Sequence, residues 1–182
     1  MSKLIESLIA QLIESSNEDK RKLGTRIVEL IGGDATTNVT NLPARRGPAD
    51  GGMDGRIKVI ATKINKVNLP TKVVYEKLEE EEQDAGISVK IEGKKFSREQ
   101  LGGFKLDLER ESLYVGIIIT GRGLSPDAKS EVERLNKEGI YRFFHIPLED
   151  FLSGKINVEG IKFAGGDISE KFREGVAKFI AS

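Results

Sequence analysis

Residues 113–120 read LYVGIIIT, an almost unbroken apolar run. A strand with one wet face alternates apolar and polar side chains, because successive residues point to opposite faces. A run without that alternation belongs to a strand covered on both sides, the usual state of a strand inside a helix-flanked sheet. The chain is therefore expected to bury residues 113–120 at the centre of a sheet, with helices over each face.

The surrounding segments supply those helices. Ser97 opens a helix over 97–110, and Gln100 three residues on completes a capping box that satisfies free amides at both of its ends. Ser125-Pro126 starts another, with Ser as cap and Pro in the first turn. Residues 140–146 read as a strand and 148–152 as a short helix. A last helix begins near Asp167, with Glu170 completing a box and Ile168, Phe172, Val176, Phe179 and Ile180 facing inward. Upstream, Leu4, Ile5, Leu8, Ile9, Leu12 and Ile13 mark one face of an amphipathic helix. A second helix over 18–31 is stopped by Gly32 and Gly33.

Between these helical ends, residues 34–55 read as loop and short strand, 56–61 as a strand and 72–75 as an extended segment after Pro70. Residues 86–91 read as another strand. Glu79, Glu80, Glu81, Glu82 and Asp84 crowd the space between and read as a solvated hairpin tip. The expected fold is α/β, a mixed central sheet flanked by helices, in one domain over 1–182. Within it, residues 1–17 form an N-terminal helix offered as a dimer contact, and 155–182 form a C-terminal helical extension.

Composition narrows the chemistry. With no Cys, the chain has no disulfide, thiolate zinc site, iron–sulfur cluster or cysteine nucleophile. A single histidine, His145, excludes any site needing two imidazoles. No Trp and three Tyr leave few platforms for stacking single-stranded bases. Lys plus Arg equals Asp plus Glu at 29 each, so bulk charge announces no polyanionic partner. The first apolar stripe is broken by Glu6 and Gln11 and lacks a signal-peptide cleavage pattern, so a cytoplasmic location without membrane contact is expected. Chemistry must rest on Asp, Glu, Lys, Ser or backbone groups.

Two local features meet that demand. DGGMDGRI (50–57) is a Gly-rich turn that delivers Asp54 to the start of a strand, and SVK (88–90) lies on another strand. Alternation puts Ser88 and Lys90 on one face with Val89 opposite. A carboxylate beside a strand lysine suits metal-dependent hydrolysis: the carboxylate binds Mg²⁺ and the ammonium stabilises negative charge or activates water. An Asp in a Gly-rich turn also has a plainer role in turn chemistry, and Asp50 is read that way.

The ordered set DGGMDG, SVKIEGKKFS, YVGIIITGRGLSPDA and YRFFHIPLEDFL, across residues 20–153, resembles the PD-(D/E)xK nuclease superfamily. Within it the pattern is similar to the catalytic domain of type IV (Mrr-like) restriction endonucleases. The resemblance implies a restriction-endonuclease-like core and a metal-dependent DNA endonuclease that hydrolyses phosphodiester bonds with Mg²⁺, or alternatively Mn²⁺. A non-catalytic DNA-binding or regulatory module on the same fold is the other reading. It makes Asp54 the metal-binding aspartate, Lys90 the catalytic lysine and the Val89 carbonyl a third metal ligand. Ser88 stands where the family carries Glu or Gln, so a ligand is missing. Glu99 on the following helix is the favoured substitute, as in type II enzymes with an S-x-K strand. Glu92, in Glu92-x-Lys94, is an alternative, and inactivity is the third. Glu29 is the candidate for the carboxylate that the first core helix often adds.

Partners follow from the same reading. Arg45, Arg46 and Arg56 are expected to contact DNA, within a basic stretch that continues through Lys58, Lys63, Lys66 and Lys72 and forms a locally positive cleft. One site cuts one strand, so a homodimer is expected, with a cognate DNA methyltransferase as a further partner. TGRGLS (120–125) has G-x-G without a phosphate-loop lysine and is not a nucleotide site, and His145 among aromatics is read as a packed histidine.

Overall fold

The computed structural model describes residues 1–35 and 53–182. In chain order the elements are α1 (Lys3–Glu14), α2 (Asn17–Leu30), β1 (Asp34–Ala35), β2 (Gly55–Asn68), β3 (Val73–Lys90), α3 (Arg98–Arg110), β4 (Val115–Thr120), α4 (Pro126–Glu138), β5 (Arg142–Pro147), α5 (Leu148–Ser153), β6 (Lys162–Phe163) and α6 (Ile168–Ala181). Among the described residues the strands form one mixed sheet in the order β1-β2-β3-β4-β5, with β6 also on β2. β2 and β3 are antiparallel, and β3, β4 and β5 run parallel.

β4 is buried at every position, which explains its unbroken apolar run. Ile117 and Ile119 enter one core with Ile27 and Val28 of α2, whereas Ile118 enters the other with Phe104 of α3 and Leu135 of α4. Each is fully buried, so truncation of any to Ala is expected to cost about 2–5 kcal/mol. α1, α2, α5 and α6 cover one face, and α3 and α4 the other. Two glycines let the helices approach closely. A Cβ on Gly55 would lie 2.6 Å from Val28 Cγ1, and one on Gly86 would collide with Leu108 of α3 and with Met53.

The helix starts follow their caps. Ser97 Oγ accepts from the Gln100 N–H and the Gln100 side chain accepts from the Ser97 N–H, the box expected from sequence. Ser125 caps α4 and Asp167 caps α6. Ile9 of α1 packs into the core, with Ile5, Leu12 and Ile13 beside it, while Leu4 and Leu8 stay exposed. The stripe expected at a dimer contact is thus mostly spent inside this chain. The C-terminal segment is not helical throughout: residues 162–163 add a short strand to β2 before α6 begins.

The hairpin departs from expectation. β2 and β3 pair from Gly55↔Ile87 to Asn68↔Val73 with one register shift between Thr62 and Ile64, and the reversal lies at 69–72, where the Leu69 N–H donates to the Lys72 carbonyl. The acidic run is therefore not a tip but the middle of β3. Cross-strand cations offset the poor strand propensity of glutamate: Lys63 pairs with Glu81 at 3.3 Å and Lys58 with Asp84 at 2.8 Å. Asp84 raises the Lys58 pKa by a hydrogen bond and by its charge. Among the described residues, no helix is long and apolar enough to cross a membrane.

Candidate active site

Asp54 stands where β2 begins, and its backbone continues the ladder by donating to the Ile87 carbonyl at 2.7 Å. Its carboxylate then replaces the next backbone partner: Oδ2 accepts from the Val89 N–H at 2.6 Å. In an extended strand the N–H and C=O of one residue point to the same side. The Val89 carbonyl therefore points toward Asp54, past the end of β2. One residue on, the Lys90 carbonyl faces the other way and accepts from Gly121 at 3.0 Å.

These groups open onto a cleft of about 350 Å³ between α2 and the ends of β2 and β3. It is lined by Asp54, Val89, Lys90, Ile91 and Glu92 on the sheet side, and by Asn17, Lys20, Arg21, Gly24 and Thr25 on α2. Asp54 and Lys90 thus line one cleft. The fold adds Glu92, held by the Gln100 side-chain amide, which donates to Oε2 at 3.2 Å. Because Gln100 also closes the α3 capping box, the start of that helix orients a carboxylate of the cleft.

Other candidates lie elsewhere. Ser88 pairs in register with Ile118, is fully buried and does not line the cleft. Its Oγ has no hydrogen-bond partner among the described residues. Glu99 is exposed on the first turn of α3 and does not line the cleft either. Glu29 is exposed beside Arg26, at 3.5 Å, in a neighbouring groove. Arg45, Arg46 and Asp50 lie outside the described residues.

Four cations of the basic stretch, Arg56, Lys58, Lys63 and Lys66, are paired with carboxylates, and none of the four lines this cleft. Arg56 is held by Glu111 at 2.8 Å and Asp84 at 3.6 Å, and Lys66 by Glu109 at 3.8 Å. With Lys58 and Lys63 also paired, these hairpin cations are balanced by strand and α3 carboxylates. Besides Lys90, the cleft takes its cations from α2. Charge at Lys20 and Arg21 was visible there; proximity to Asp54 was not, because it depends on how α2 packs over Val89.

At the other strand ends, Thr120 Oγ1 accepts from the Gly123 N–H at 2.9 Å and lies 2.8 Å from His145 Nε2. The 120–125 loop is thus closed on its own groups, as a structural turn. Burial lowers the His145 pKa from its ordinary value, which keeps the ring neutral.

Among the described residues, no three His, Asp or Glu side chains gather in one metal-binding group. Magnesium is commonly held by one or two carboxylates, waters and substrate phosphate oxygens. Asp54, Glu92 and the Val89 carbonyl offer hard oxygen donors of that kind around one cleft. No family model, curated protein or solved structure matches this chain.

Proposed function

We propose that the chain is a metal-dependent DNA endonuclease of the restriction type, built on a restriction-endonuclease-like core. The observation that supports this reading most is the shared cleft of Asp54 and Lys90, which reach it from different strands. Asp54 and the Val89 carbonyl would hold Mg²⁺, with Glu92 as the second carboxylate in preference to Glu99. The metal supplies a Lewis acid for the phosphoryl oxygens and lowers the pKa of bound water. Lys90 places an ammonium where negative charge develops on the phosphate. The Val89 N–H bond holds the Asp54 carboxylate in place before substrate arrives. Duplex cleavage needs two such sites, which makes a homodimer part of this reading.

The test is incubation of the purified chain with methylated and unmethylated plasmids in Mg²⁺, Mn²⁺ or EDTA. Cleavage that requires the metal and disappears in Asp54→Asn supports the proposal. Binding without cleavage in every condition rejects it in favour of a non-catalytic DNA-binding module.

A further inference from the structure

We infer that the first two turns of α2 form the surface that grips the duplex backbone and feeds it to the Asp54–Lys90 cleft. This rests on the nuclease reading above, and it moves the main phosphate contacts from the basic stretch around the hairpin to another element.

Three observations carry it. Lys20 and Arg21 line the Asp54–Lys90 cleft itself. Arg21 and Thr25 also line an adjoining groove with Lys22, Arg26 and Glu29, so one cationic surface runs from the cleft along α2. Lys22 and Arg26 lie one turn apart, about 6 Å along the axis at 1.5 Å per residue. Finally, the cations differ in how they are occupied. Arg56, Lys58, Lys63 and Lys66 each sit against a carboxylate of the hairpin or α3. On α2, Lys22 pairs with Glu18 and Arg26 with Glu29, but Lys20 and Arg21 carry no ion pair among the described residues. A cation already held by a carboxylate gives up that pair to bind phosphate, whereas Lys20 and Arg21 only shed counterions. DNA is the matching partner, since its duplex carries one negative charge per about 1.7 Å of axis.

The experiment measures binding of the full chain to a fluorescent duplex in EDTA between about 50 and 200 mM salt, where each phosphate contact contributes about 0.9 to the salt slope. The variant is Lys20→Gln/Arg21→Gln, and the charge-matched control is Lys63→Gln/Lys66→Gln. The expected result is a slope smaller by about 2 and at least about tenfold weaker binding in the α2 variant. The control keeps the parent slope. Equal losses in both variants would reduce the effect to net charge and overturn the inference. A parent that binds and cleaves, with an unchanged slope in the α2 variant, overturns the α2 surface while leaving the nuclease reading standing. A parent that binds no duplex at the lowest salt overturns both. Circular dichroism of each variant separates lost contacts from lost fold.

Discussion

The Asp54 carboxylate accepts a 2.6 Å hydrogen bond from the Val89 N–H, so the residue that opens β2 is tied to the strand that carries Lys90. This one bond closes the hairpin end and fixes where a negative charge stands in the cleft. A charge-assisted bond of this kind is worth about 1.5–3 kcal/mol.

The two roles separate by substitution. Asp54→Asn keeps an oxygen acceptor for Val89 and is expected to stay folded while losing metal-dependent cleavage. Asp54→Ala is expected to lose cleavage and also about 1–3 kcal/mol of stability, because the Val89 N–H is stranded. Urea unfolding beside a plasmid assay checks both. Equal stability of Ala and Asn variants would show that the bond is structurally idle.

The second carboxylate is tested by pairing Glu92→Gln with Glu99→Gln. Glu92 lines the cleft and Glu99 does not. Cleavage is expected to fall at least about 10²-fold in Glu92→Gln, the scale of losing one electrostatic stabiliser. Glu99→Gln is expected to stay near the parent rate. The reverse order would return the role to α3.

Ser88 carries a buried hydroxyl with no hydrogen-bond partner among the described residues, a group that folding removes from water without return. Ser88→Ala deletes that hydroxyl at little loss of volume. The unfolding free energy is expected to rise by about 1 kcal/mol, read from the urea midpoint at constant m-value. A clear fall would mean that the hydroxyl has a partner in the folded chain.

His145 is held neutral by burial, its pKa lowered from the ordinary value near 6.5. For a group depressed on folding, the unfolded chain binds more protons between the two pKa values, so stability increases with pH. The contribution is complete above about pH 6.5 and is lost as the pH falls toward the folded pKa. Urea midpoints are expected to drop between about pH 7.5 and about pH 5.5, and His145→Gln should flatten that slope. Identical slopes in parent and variant would assign the dependence to other groups.

Much of the architecture was legible because its signals are local. An apolar run without alternation told of two covered faces before any helix was placed, and β4 sends Ile118 one way and Ile117 and Ile119 the other. The Ser97–Gln100 box is a contact between residues three apart, so composition and spacing suffice for it. Propensity misled at Glu79–Glu82, where glutamates that disfavour a strand lie within one and Lys63 pairs with Glu81 across the hairpin.

The site divides along the same line. Asp54 in a Gly-rich turn and Lys90 on a strand are residue types at positions, and chain order alone made them candidates. What packs against them is a matter of three-dimensional register. Ser88 turned into the core, Glu92 was steadied by the cap of α3, Arg56 was taken up by Glu111, and Lys20 and Arg21 came to line the same cleft as Asp54. Hydrogen bonds and packing within a turn act over a few residues and leave a mark in the sequence. The charges that share a cleft are chosen by how helices settle on a sheet, and that choice belongs to the whole core.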